Sequence, residues 1–172
     1  MYIADLELCR YHSGPFDYNS WWVPLRAVGW LKHPQPFTRR TAPHKLLTKL
    51  RALVEQAHSA YGHLSFRGTM RCSFCTALGV ASPGPVWSQE NLFIPGKGVV
   101  YVSPGGIVHY MEAHTYLPPA EFVKAVLECP DLQSTEYQEL LCNSNAGVNP
   151  PLRINSGSRD GLQAFLQKTN VA

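Results

Sequence analysis

Cys72-Ser-Phe-Cys75 and His109-Tyr-Met-Glu-Ala-His114 are the two short stretches on which the reading of this chain turns. Together they supply two thiolates and two imidazoles, the donor set of a closed tetrahedral zinc site. Two cysteines separated by two residues aim both sulfurs at one ion when the backbone turns around it as a knuckle. The four residues between the histidines fall within the range seen for zinc-binding histidine pairs. Thirty-three residues separate Cys75 from His109, more than a small zinc finger has. A β-hairpin fits such a gap, so the expected site joins a hairpin to a helix within a larger domain.

Geometry sets one condition. Residues five apart on a regular α-helix differ by roughly 140° around its axis. His109 and His114 therefore share a ligand only if the helix distorts or ends before His114, and Pro118-Pro119 favour an early end. The competing reading makes Cys72 and Cys75 a redox or incidental pair and the histidines ordinary helix-face residues. Cys9 and His63 are the reserve ligands.

Glu112 carries the enzymatic alternative, a zinc-dependent hydrolase in which it is the general base or acid. The pattern His-x-x-Glu-x-His matches neither common metalloprotease signature. A four-ligand site also leaves no open position for a water molecule. No Gly-x-Ser-x-Gly elbow occurs, and Gly96-x-Gly98 and Pro104-Gly105-Gly106 read as turns, not as phosphate-binding loops.

Composition bounds the class. The 172 residues suffice for one buried core, and 45% hydrophobic against 16% charged residues describe a globular protein. A net charge of +3, with Arg39-Arg40 as the one basic pair, disfavours nucleic acid as a partner. Five cysteines, an odd number, argue against a complete disulfide framework, and Cys129 and Cys142 fall in amphipathic segments where a thiol behaves as a small hydrophobe. The N-terminus lacks the basic and apolar regions of a signal peptide, and no apolar run is long enough to span a membrane. A cytoplasmic location is expected.

Along the chain, residues 1–43 read as irregular or β-like and hold the aromatic cluster Tyr11, Phe16, Tyr18, Trp21, Trp22 and Trp30, best explained as core anchors. Within it, Pro24 to Leu31 predicts a strand that carries Val28 and Trp30. Leu46, Leu47, Leu50, Leu53, Val54 and Ala57 predict a helix over 44–59, with Pro43 at its first turn and Thr41 as cap. Residues 64–103 read as β-rich, with strands at 86–94 and 99–103 joined by a turn at 95–98. Helices are expected from Ile107 to Thr115, after Pro118-Pro119, and after a Ser134 cap. The expected fold class is α+β: one domain over 1–142 with a small antiparallel sheet, three to five helices and a stabilising zinc ion. Residues 143–172 read as a loop rich in Pro, Asn, Ser and Gly, followed by a short C-terminal helix.

At Arg26-Ala-Val-Gly-Trp-Leu31, Cys72-x-x-Cys75 and His109-Tyr-x-x-x-His114-x-Tyr116-x-Pro118-Pro119-x-x-Phe122, the chain resembles an uncharacterised family of small bacterial proteins. The resemblance covers roughly residues 24–127. It implies a bacterial cytoplasmic protein, supports pairing the two motifs, and carries no activity with it. The functional expectation is a zinc-binding accessory protein, for example an immunity-type protein, whose partner is another protein.

Overall fold

Leu46, Leu50, Leu53 and Ala57 recur every three or four residues and are all at most 1% exposed, so one stripe of a helix is committed to the interior. That helix, α1 (His44–Tyr61), is the longest element of the computed structural model, which describes residues 1–9, 25–61, 71–81 and 90–144. At its entrance the amides of Leu46 and Leu47 donate to the Pro43 carbonyl. Pro43, not Thr41, therefore marks the start, as a residue with no amide of its own to satisfy.

Three strands form the sheet: β1 (Leu25–Ala27), β2 (Asn91–Gly96) and β3 (Val99–Pro104). The helices after α1 are α2 (Ser73–Ala77), α3 (Ile107–His114), α4 (Ala120–Glu128) and α5 (Thr135–Asn143). The class is α+β with five helices among the described residues. The sheet is mixed, where an antiparallel one was expected. Its order is β1-β3-β2, with β2 antiparallel and β1 parallel to the central β3. The reason lies in the connections. Two residues, Lys97 and Gly98, close the β2–β3 hairpin, with Gly98 at φ 69°, whereas α1 and α2 lie between β1 and the hairpin. A crossover of that length permits parallel pairing.

β1 is shorter than the predicted strand because Gly29, at φ 78°, turns the chain. Val28 and Trp30 then fall on the same carbonyl: the Val28 amide and the Trp30 indole N–H both donate to Val102 O at 3.0 Å. Trp30 is 4% exposed, the core role expected of it, while the rest of the aromatic cluster lies outside the described residues. A Cβ at Gly29 would stand 3.0 Å from the Ile107 side chain. Gly29→Ala is therefore expected to cost about 2 kcal/mol, from the left-handed backbone and the crowding together, read as a lowered denaturation midpoint.

Both sheet edges are covered. Residues 3–9 run beside β1, where Leu6 and Cys9 amides donate to Ala27 O and Leu25 O. On the other side α5 approaches β2: Tyr137 Oη donates to Phe93 O at 2.6 Å and Ser144 Oγ to Gly96 O at 2.9 Å. The expected Ser134 cap is present, accepting the Tyr137 amide at 3.1 Å. The α1 stripe and Phe122 and Val126 of α4 close the core over β2.

The predicted β-rich stretch 64–103 is only partly strand. Residues 71–81 contain α2, and β2 begins at Asn91, later than predicted, and runs on through Pro95 and Gly96. Of the predicted first strand, 86–89 lie outside the described residues, as do His63 and the loop and helix expected within 145–172.

Candidate metal centre

Cys72 is the N-cap of α2, and its Sγ accepts the Cys75 amide at 3.4 Å. This turn is the knuckle that a Cys-x-x-Cys pair needs: the first sulfur folds back over the helix start, and the second projects from one turn later on the same side. Both cysteines are buried, at 0% and 3% exposure. Phe74 between them anchors the turn through edge-on packing against Phe37, His33 and Tyr110.

His109 and His114 come from α3, which ends at His114, not before it. The expected distortion lies in the last turn. Thr115 adopts left-handed φ 56° and its amide donates to Tyr110 O, five residues back, in place of the usual four. A wider turn rotates the chain fewer degrees per residue, which narrows the angle between the two histidines. Helical side chains also lean toward the N-terminus, so His114 reaches back toward His109. The ring centroids end 5.1 Å apart.

The structure brings the four predicted residues together. Cys72 Sγ lies 3.2 Å from His114 Nε2, and Cys75 Sγ lies 3.4 Å from both His109 Nε2 and His114 Nε2. All four donor atoms fall within 4.8 Å of one another, and all four side chains are buried. A tetrahedral site with Zn–S near 2.3 Å and Zn–N near 2.0 Å has S···N edges of about 3.5 Å. The spacing fits a single ion.

Hydrogen bonding alone serves this cluster poorly. Cys75 has one S–H to donate and two imidazole nitrogens at equal distance, while the His114 Nε2 lone pair faces two sulfurs. A central cation satisfies all four donors at once. Burial lowers the proton affinity of both imidazoles; for His114 the neighbouring His109 and Arg39 act in the same direction, while Glu112 opposes the effect at His109. Neutral imidazoles are the form that coordinates a metal. Burial pushes the Cys72 thiol up, against backbone N–H groups that favour its thiolate. A bound cation reverses that balance.

Glu112 stands apart from the donor set. It is ion-paired with Arg51 of α1, at an exposed position on the outer surface of α3. Cys9 is buried beside β1 and does not join the four. Cys129 is buried at the end of α4, where burial above all pushes its thiol up to about 12.

Two supporting features escaped the sequence reading. One is the aromatic wall: Phe74 packs 5.4 Å from the His114 ring, Phe37 contacts Phe74 and Tyr116, and Tyr110 Oη donates to Leu31 O. Tyr110 and Tyr116 stand within the His-Tyr motif, so their positions were marked while their role was not. The other is Asp5, whose Oδ1 accepts the Gly29 amide at 2.9 Å and whose Oδ2 accepts Tyr116 Oη at 2.8 Å. No pattern in the sequence points to it.

The fold and the site thus define a small α+β protein with a buried Cys2His2 cluster of metal-binding geometry. Its family follows from comparison: the chain belongs to the family described as a domain of unknown function (DUF7919), which matches residues 1–127. No curated protein and no solved structure matches it.

Proposed function

We propose that Cys72, Cys75, His109 and His114 hold one zinc ion whose task is structural, and that the chain is a bacterial cytoplasmic accessory protein that works by binding a partner. The carrying observation is the closed, buried donor set, no member of which is more than 7% exposed. Two thiolates and two imidazoles suit zinc, and four protein ligands complete its usual structural coordination. The ion would tie the turn after the 62–70 segment to the helix following the hairpin. Among the described residues Cys72, Cys75 and Cys129 form no disulfide, which supports a reducing compartment. Among the described residues no helix is long and apolar enough to cross a membrane.

A protein partner is supported by the tip that follows α2, where Leu78 is 69% and Val80 is 53% exposed. The working domain is 1–142, which contains the whole family match, with 143–172 as an appendage. Elemental analysis of protein purified without added zinc tests the metal: one zinc per chain is expected, and none would end the proposal.

The hydrolase alternative needs Glu112 beside a metal-bound water. Arg51 instead engages that carboxylate outside a cluster that is already four-fold. Glu112→Gln is expected to leave zinc content unchanged and to shift stability by no more than about 1 kcal/mol, the range of an exposed ion pair. A zinc-dependent hydrolysis that Glu112→Gln abolished without altering the melt would favour the enzyme.

A further inference from the structure

The net charge of +3 conceals a strong segregation. Residues 18–89 carry nine Lys and Arg against a single acidic residue, Glu55, a balance of +8; the other eleven acidic residues all lie outside that stretch. Nucleic acid was disfavoured because no basic run stands out in the sequence. Folding assembles a basic face that no run encodes.

Four of its cations, Lys32, Arg39, Arg40 and Arg71, belong to segments that adjoin the metal cluster, and Lys45 follows directly after the loop that carries the first three. The loop after β1 wraps this region through three hydrogen bonds: the His33 amide donates to Ser73 Oγ at 2.8 Å, the Arg40 amide to Thr115 O at 2.8 Å, and the Leu117 amide to Thr38 O at 3.0 Å. This binding places Lys32, Arg39 and Arg40 around the site. Arg71 immediately precedes Cys72, and Lys45 lies in the first turn of α1. All five cations are exposed, and none has an ion-pair partner among the described residues. Arg39 is held on an aromatic floor, its guanidinium 4.8 Å from the Phe37 ring centre. The exposed carboxylate of α3, Glu112, is already engaged by Arg51.

Surfaces that only need solubility intersperse both signs, and the cores of protein interfaces are depleted of charge. Exposed cations of one sign on separate elements, none ion-paired among the described residues, suit instead a polyanion such as a phosphodiester chain. We propose that this face binds nucleic acid through its phosphate backbone. The contact is electrostatic and independent of base sequence. The Leu78–Val80 tip adjoins this face, since the Val80 amide donates to Cys75 O at 3.0 Å.

The test is fluorescence anisotropy of the zinc-containing protein with labelled dT20 and a labelled 20-bp duplex. Binding is expected in the micromolar range at 50 mM salt, and five phosphate contacts predict a loss of about 100-fold or more on going to 200 mM. Arg39→Glu/Arg40→Glu and, independently, Lys32→Glu/Lys45→Glu are each expected to weaken binding at least about tenfold and to flatten the salt slope by roughly 2. Lys97→Glu/Lys124→Glu, on residues remote from the knuckle, is expected to bind like the parent. Melting curves and zinc content of each variant separate lost contacts from lost fold. No binding at about 100 μM protein in 50 mM salt would overturn the proposal, since non-specific binders saturate below that. So would full retention of affinity in both charge-reversed variants. Tighter binding of a poly-glutamate of equal charge would assign the face to an acidic protein instead.

Discussion

Cys72→Ser is expected to abolish metal binding at the proposed zinc site and, with it, the cooperative folding of the middle of the chain. Structural zinc supplies roughly 10–16 kcal/mol of apparent binding free energy in small modules. Whole domains have a net stability of only about 5–15 kcal/mol. Losing the ion therefore leaves little or nothing to hold α2 against α3. The structure shows why other contacts are poor substitutes. α2 is a single turn of five residues, and its chief anchors are the two sulfurs, Phe74 and the Ser73 hydroxyl. A strong chelator is expected to reproduce the effect in the parent protein, lowering the melting midpoint by tens of degrees or abolishing the transition, with recovery on adding zinc. Acid acts in the same direction, because protons compete for two thiolates and two imidazoles. The α1 stripe and the hairpin have apolar contacts of their own, so far-UV circular dichroism is expected to fall only in part. A Cys72→Ser variant that melts like the parent and carries equal metal would refute the structural ion.

The second large effect is expected at Asp5. Its carboxylate satisfies two donors from distant parts of the chain, the Gly29 amide and Tyr116 Oη. Tyr116 is fully buried, at 0% exposure, and follows α3 by two residues. Asp5→Ala strands both donors, each at a cost of about 1–3 kcal/mol, so a loss of roughly 2–6 kcal/mol is expected in denaturant unfolding. Tyr116→Phe removes one of those donors, and the double variant is expected to be less destabilised than the sum of the two singles.

The pH dependence at this site has a definite sign. Burial raises the Asp5 carboxyl above its ordinary 3.8, against the hydrogen bonds from Gly29 and Tyr116. The folded chain then holds this proton more tightly than the unfolded chain does. That contribution is complete below the ordinary value and is lost as pH rises through the raised one. The stability gap between the parent and Asp5→Asn is therefore expected to be widest in acid and to narrow as pH increases. A constant gap would remove Asp5 as the titrating group.

What the sequence by itself determined was whatever local spacing encodes. The leucine stripe of α1, the proline entrance of α4, the Ser134 cap and the turn at Lys97-Gly98 all depend on neighbours within a few residues. The four metal-binding candidates belong here too, because thiolates and imidazoles at those intervals have few other shared uses. The tertiary structure decided everything that joins residues far apart. It set β1 parallel to β3, since strand direction depends on the path of the intervening helices, and it turned the chain at Gly29, where any Cβ would crowd Ile107. It widened the last turn of α3 so that two histidines on divergent helix faces reach the same sulfur. It also recruited Asp5 to Tyr116 across 111 residues, a pairing that no local pattern announces because its cause is burial of both groups in one place.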